Sequence, residues 1–303
     1  MTEMVRLHWG GRCSLRVGVS RDVCCMAKCE VCFRHCELKE GQVGACGARS
    51  CRDGTVCAEN YGKVTSLALD PIEKKPLRRF HPGSRILSVG SYGCNLRCPF
   101  CQNHEISWDP AAMRFAETAD EISPEELAEM AAYYCREGNI GAAFTYNEPL
   151  VGYEYVCDAA RLIHEKGMVN VLVTNGTASL PVLRRIAPYI DAMNIDLKGF
   201  SPDYYREILH GDLAMVQAFI EEAAGFCHVE LTTLIVPGEN DSEEEMRRIS
   251  DWISRLSPSI PLHISRFFPR YQMTDRPATS VSRIYRLADV ARERLEFVYT
   301  GNC

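Results

Sequence analysis

The sequence predicts an α/β protein, a partial or complete (β/α) barrel with a small cysteine-rich metal-binding domain at its N-terminal end. Two observations predict it. Of sixteen cysteines, nine lie between Cys13 and Cys57, three lie between Cys94 and Cys101, and only Cys135, Cys157, Cys227 and Cys303 lie beyond. From Arg85 onward, short apolar runs alternate with amphipathic stretches, the order in which parallel βα units are written. Six or seven such units suit a barrel better than an open doubly wound sheet, and both architectures place a site at the C-terminal ends of the strands. The expected organisation is a cysteine-rich head over 1–60, a connecting segment over 61–84 and a barrel over 85–303.

Strands are expected near 85–90, 141–146, 169–174, 192–197, 228–236, 261–267 and 297–300. The helices between them carry start signals. Ser123, Pro124 and Glu126 form a capping box with proline at the first helical position, and Leu127, Met130, Ala131 and Tyr134 share one face before Gly138 ends the helix. Ser242 with Glu245 repeats the box, followed by Met246, Ile249 and Ile253 at helical spacing.

Composition narrows the class. A net charge of -6 and a pI near 5.8 count against a large phosphate-binding surface, and hence against nucleic acid as partner. The chain has no run of about 18 apolar residues, and its first residues lack the basic-then-apolar order of a signal peptide, so a cytoplasmic protein without a membrane span is expected. In that reducing compartment, so many cysteines point to metal or redox chemistry rather than to a disulfide framework.

The first strand runs into Ser91-Tyr92-Gly93-Cys94-Asn95-Leu96-Arg97-Cys98-Pro99-Phe100-Cys101, a C-x3-C-x2-C loop. Three thiolates on one tight loop hold three corners of a [4Fe–4S] cube and leave the fourth iron open. The competing reading is zinc, which prefers four ligands from two paired hooks, whereas this loop offers three from one turn.

The loop resembles the signature of radical S-adenosylmethionine (SAM) enzymes, including the aromatic Phe100 before the last cysteine. The resemblance implies that the open iron is chelated by the amino and carboxylate groups of SAM, and that one electron from the cluster yields a 5′-deoxyadenosyl radical. It also implies roles at later strand ends. In Phe144-Thr145-Tyr146-Asn147-Glu148-Pro149, the position of the family's Gly-Gly-Glu-type turn, Glu148 is the natural acceptor for the SAM amino group. Val173-Thr174-Asn175-Gly176 and Asn194-Ile195-Asp196-Leu197-Lys198 are similar to glycyl-radical-enzyme activases, which places Asp196 and Lys198 near the SAM ribose and carboxylate. Those activases carry an aspartate where this chain has Val173, so their cation site loses its carboxylate here. Taken singly, Asn147, Asn175 and Asp196 read as turn or cap residues; their recurrence at successive strand ends favours cofactor contact. His263 reads equally as a hydrogen-bonded core residue and as an acid or base, and alternation puts it on one face with Ser265 and Phe267.

In the head, Cys29, Cys32, Cys36 and Cys46 follow C-x2-C-x3-C-x9-C, a spacing that closes a metal site without deciding between zinc and a second [4Fe–4S] cluster. Cys24, Cys25, Cys51 and Cys57 read either as ligands of another site or as small buried residues. The head, Tyr61-Gly62, Asp70-Pro71-Ile72-Glu73-Lys74-Lys75-Pro76-Leu77, His81-Pro82-Gly83, Cys101-Gln102-Asn103 and Val298-Tyr299-Thr300-Gly301-Asn302 together resemble the AmmeMemoRadiSam-system radical SAM enzymes, relatives of pyruvate formate-lyase activating enzyme. Members of that group often continue past Gly-Asn into a cysteine-containing tail, whereas this chain ends at Cys303. Lys74 and Lys75 read either as a solvated turn or as a lid over the barrel mouth.

The expected function is hydrogen-atom abstraction by a 5′-deoxyadenosyl radical, from a protein glycine or a small molecule, with a low-potential donor such as flavodoxin or ferredoxin supplying the electron. A glycyl radical enzyme or a Memo-like protein is the partner implied. The alternative is a non-catalytic metal-binding interaction module, with the head as a zinc knuckle and the Cys94 loop structural.

Overall fold

The computed structural model describes residues 26–303. Cys13, Cys24 and Cys25 lie outside the described residues. Eight strands form one sheet: β1 (Ser66–Pro71), β2 (Arg85–Gly90), β3 (Asn139–Phe144), β4 (Val169–Thr174), β5 (Ala192–Asp196), β6 (His228–Ile235), β7 (Leu262–Arg266) and β8 (Val298–Gly301). They lie side by side in chain order. Strands β2 to β8 run parallel and β1 runs antiparallel along β2, so the sheet has two edges and the barrel is partial.

All seven expected strands are present, and two differences have local causes. Strand β3 begins and ends two residues earlier than the apolar run suggested. At its start, Asn139 Oδ1 accepts a hydrogen bond from Leu87 N (2.8 Å) where the β2–β3 register shifts. At its end, Tyr146 adopts φ +75° and takes the chain out of the ladder. Strand β1 was not foreseen, because Ser66–Pro71 sits in a segment that reads as a connector and presents no long alternating run.

Six helices cover the outer face: α1 (Pro124–Tyr133), α2 (Tyr153–Glu165), α3 (Leu180–Ile186), α4 (Leu213–Ala223), α5 (Glu243–Leu256) and α6 (Val281–Arg292). The capping box of α1 forms in both directions, Glu126 N to Ser123 Oγ (3.1 Å) and Ser123 N to Glu126 Oε2 (2.7 Å), and Gly138 closes the following turn at φ +84°. In α5 only half of the box forms. Ser242 Oγ accepts from Glu245 N (3.1 Å), but the buried Glu245 carboxylate accepts from Phe200 N (2.5 Å) in the loop after β5.

Strand alternation divides the core. Leu87, Leu172, Met193, Ile195, Leu231 and Ile264 face the helices and pack in the main cluster with Leu127, Val156, Val216, Phe219, Ile249 and Leu287. Each fully buried Leu or Ile is worth roughly 1.5–3 kcal/mol over its exposed state. On the inner face, Ile86, Ala143, Val171 and Ala192 pack against Ile72 and Leu77. The segment after β1 thus enters the barrel from the N-terminal end of the strands rather than lying over its mouth. Asn194 Nδ2 donates to Pro76 O (2.9 Å), and Arg78 N and Arg79 N donate to the Glu230 carboxylate (3.0 and 2.7 Å).

The head consists of two short hairpins, Ala27–Lys28 with Glu37–Leu38 and Arg49–Arg52 with Thr55–Ala58. It is docked on the barrel by polar contacts: Ser179 N to Val31 O (2.8 Å), Arg34 Nε to Asn95 O (2.7 Å), and the fork of Arg49 on Glu154 of α2 (2.7 and 2.9 Å). Among the described residues no helix is long and apolar enough to cross a membrane.

Candidate active site at the strand ends

The loop that leaves β2 owes its path to one glycine. Gly93 has φ +96°, and a Cβ there would lie 2.5 Å from Ala48 Cβ and 3.0 Å from Cys46 O, so a larger residue would push the loop off the head. Leu96 and Phe100 then anchor the loop as buried side chains, Phe100 edge-on to Phe267 (6.3 Å between ring centres). Arg97 Nη1 donates to Cys94 O and Leu96 O (both 2.9 Å), and Cys101 N donates to Cys98 O (3.1 Å). The result presents Cys94, Cys98 and Cys101 together on one cavity of about 450 Å³.

That cavity is the meeting point of the predicted residues: Phe100, Asn147, Glu148, Asn175, Asp196 and Lys198 all line it. They are not equally available to a ligand. The Asn147 side chain is engaged by the loop, accepting from Ser91 N (3.0 Å) and donating to Tyr92 O and Gly93 O (both 3.1 Å). Asn175 Nδ2 donates to Asn95 Oδ1 (3.0 Å) and lies 3.7 Å from Cys94 Sγ, where an N–H stabilises a thiolate. Asp196 and Lys198 pair at 2.8 Å.

Glu148 is buried and already accepts three hydrogen bonds, from Thr174 Oγ1 (2.8 Å), Asn175 N (2.8 Å) and Leu150 N (3.1 Å). Burial pushes its carboxyl up to about 7 against those donors, and the nearby charge of Asp196 adds to the rise. Burial likewise raises all three loop thiols, Cys98 to about 12. Such thiols ionise only under a strong local positive charge, which bound iron supplies. Lys198 goes the other way from what burial alone dictates: Asp196 and Cys98 carry it well above the ordinary lysine range, so it stays charged beside the loop.

The sequence reading missed the floor of this cavity. Asp70 of β1 accepts from Lys74 Nζ (3.1 Å), Lys75 Nζ (3.0 Å), Ser88 Oγ (3.1 Å) and Tyr146 OH (2.8 Å), and Lys75 Nζ lies 4.6 Å from the centre of the Tyr146 ring. Despite burial, these donors hold Asp70 well below the usual carboxylate range. Lys75 is buried and Lys74 exposed, and both line the cavity with Ser265 and Asn302. The signal was the polar Asp70-to-Lys75 run itself, but without β1 no element placed it inside the barrel. His263 does not reach the cavity. It sits below, with Nε2 2.6 Å from Glu230 Oε2 and its ring stacked on Tyr299, which is the core-residue reading. The head cysteines line a separate small pocket behind the loop.

The donor set fits the cluster and SAM: three soft thiols from one turn, an open face towards a cavity of small-molecule size, and acceptors and donors on the ends of β3, β4 and β5. The family model for the radical SAM superfamily matches residues 88–249, which begins in β2 and ends in α5. An uncharacterized protein of Methanocaldococcus jannaschii is 40% identical over 280 residues, covering 91% of this chain and 81% of its own length. GTP 3′,8-cyclase of Pseudomonas syringae pv. syringae is 30% identical over 157 residues, 50% of this chain and 45% of that protein. Among solved structures, a radical SAM methyltransferase from Sphaerobacter thermophilus shares the fold with a TM-score of 0.55 at 19% identity, covering 73% of this chain and 67% of that one. With the family model spanning more than half of the chain and every signature cysteine on one cavity, the chain belongs to the radical SAM superfamily.

Proposed function

We propose that the protein cleaves SAM reductively and abstracts a hydrogen atom from a substrate held over the Asp70–Lys75 floor, in the manner of the glycyl-radical-enzyme activases it resembles. One observation carries this reading: a single cavity joins the loop thiols to Glu148, Asn175, Asp196 and Lys198, and continues beyond them to Lys74, Lys75, Tyr146 and Ser265. Cys94, Cys98 and Cys101 are the ligands proposed for the cluster, which when loaded supplies the electron that breaks the sulfonium bond. Glu148 accepts from the SAM amino group, Phe100 walls the cluster, and Asp196 and Lys198 meet the ribose and carboxylate. A flavodoxin- or ferredoxin-class protein is the proposed electron donor and the cytoplasm the proposed site of action. The proposed substrate side is a glycyl radical enzyme, a Memo-like partner or a small molecule. The head, 1–60, is proposed to bind a metal of its own through Cys29, Cys32, Cys36 and Cys46; 61–84 and 85–303 work as one catalytic unit.

Glu148→Gln tests the reading. The substitution keeps the shape and removes the charge, which in a dry site is worth roughly 1.5–3 kcal/mol to a charge-assisted hydrogen bond, or about ten- to hundredfold in SAM affinity. The pH dependence has a defined sign. With the carboxyl lifted to about 7, the ionised acceptor is populated as pH rises through that value, so SAM binding to the reconstituted protein tightens between roughly pH 6 and roughly pH 8. Isothermal titration of Glu148→Gln is expected to show weaker binding, a flattened pH profile and normal iron content. Wild-type affinity in the variant refutes the cofactor role, and loss of iron reassigns Glu148 to the scaffold of the loop.

A further inference from the structure

We infer that Cys29, Cys32, Cys36 and Cys46 hold a second [4Fe–4S] cluster whose electron passes to the Cys94 loop across a single hydrogen bond. The electron's destination rests on the function proposed above; the site itself does not.

The four thiols come from the first hairpin and from the turn before the second, and they line one pocket, walled by Val31, Leu38 and Val151. Zinc accepts four thiolates as readily as a cube does, but it carries no electron. The backbone contact of this site with the Cys94 loop, from Cys94 N to Cys46 O (3.1 Å), is one that a redox-active cube uses and a zinc knuckle does not.

Arg49 is an independent observation. It lines the same pocket, is only 4% exposed, and spends both terminal nitrogens on Val151 O (2.9 Å) and the Glu154 carboxylate (2.7 and 2.9 Å). Its Nε–H is buried with no partner, and Cys29 and Cys46 are the thiols whose charge it feels. An orphaned buried donor is costly unless an anion meets it. A cube with four thiolates is a dianion when oxidised and gains another charge when reduced, so a fixed guanidinium beside its sulfurs favours the reduced form.

The connection to the active site is direct. Cys94 N donates to Cys46 O (3.1 Å), so a ligand of one cluster is hydrogen-bonded to a ligand of the other. The step is one electron in and one out. A ferredoxin- or flavodoxin-class donor reduces the head cluster, which is reoxidised as the electron reaches the loop cluster, and no bond or proton is exchanged.

The test is iron counted with the catalytic loop removed. The Cys94→Ala/Cys98→Ala/Cys101→Ala chain, reconstituted anaerobically with iron and sulfide and checked for native circular dichroism, is expected to keep about four irons and to show a reduced-cluster paramagnetic signal with dithionite. One zinc per chain, or no metal, overturns the proposal. Should that chain fail to fold, Cys29→Ser/Cys32→Ser in the otherwise intact protein serves instead, with iron expected to fall by about half. Unchanged iron overturns the site. With the site established, 5′-deoxyadenosine formation by this second variant is expected to drop at least about tenfold with reduced flavodoxin and to persist with dithionite; equal loss with both reductants overturns the relay. Because iron is counted without SAM, failure of the head site and failure of the SAM chemistry give different results.

Discussion

Cys98→Ala is expected to reduce 5′-deoxyadenosine formation below detection while leaving the fold intact. Cys98 is almost fully buried, and burial, with the nearby charges of Cys101 and Asp196 set against Lys198, pushes its thiol up to about 12, so its ionisation is committed to a metal. Among the described residues, three thiols meet the cavity, and the fourth iron must remain open for SAM, so none of the three is redundant. Two remaining thiolates hold a cube too weakly to keep one iron differentiated from the rest. The backbone of the loop does not depend on the sulfur: Leu96 and Phe100 are buried on either side, and Arg97 N donates to Leu209 O (2.9 Å). The variant should therefore melt close to wild type. Anaerobic assay of SAM cleavage, with circular dichroism and iron analysis on the same sample, checks both halves, and the same result is expected for Cys94→Ala and Cys101→Ala. Wild-type turnover in any one of them refutes the cluster assignment.

How much of this was legible in the sequence depends on whether the information was local. The cysteine loop was legible because three ligands within one turn cannot be far apart. The strands β2 to β8 were legible because each is a short apolar run between caps, and Ser123 with Glu126 marks α1 in both directions. That Glu148, Asn175 and Asp196 share a cavity followed from parallel strands ending at one face. The roles at those positions were less legible. Asn147 has the right place for a cofactor contact, yet its amide is taken up by the carbonyls of Tyr92 and Gly93, 55 and 54 residues away. Glu245 has the spacing of a capping box, and its carboxylate leaves the helix for Phe200 N, because a buried carboxylate goes to whichever donor the packing supplies. The Asp70–Lys75 segment, read as a turn or a lid, was misplaced for a similar reason. Strand β1 runs antiparallel, outside the βα rhythm, so nothing local said that residues 72–80 turn inward beneath the cavity.

That inward segment makes Glu230→Ala the variant with the largest expected effect on stability, about 3–5 kcal/mol. Glu230 is wholly buried in β6, and its carboxylate serves four donors: Arg78 N (3.0 Å), Arg79 N (2.7 Å), His228 Nε2 (2.9 Å) and His263 Nε2 (2.6 Å). A carboxylate only accepts, so both imidazoles must present Nε2–H. Despite burial, which alone would raise it, these bonds hold the carboxyl at about 2. Alanine strands two backbone N–H groups and two ring N–H groups at once, and it unpins the segment that carries Lys74 and Lys75 to the cavity floor. The acid limb of stability gives a second reading. A carboxyl depressed in the folded state stabilises the protein above its unfolded value near 4.5, and that contribution is lost as pH falls from there towards 2. Urea unfolding of wild type is thus expected to steepen below about pH 4.5, and Glu230→Ala to start lower and lose stability more gently over that interval. Glu230→Gln, whose oxygen still accepts but whose amide faces donors, should fall between the two. If Glu230→Ala unfolds within about 1 kcal/mol of wild type, water or a rearranged segment satisfies those donors, and residues 72–80 are held by Ile72 and Leu77 rather than by the carboxylate.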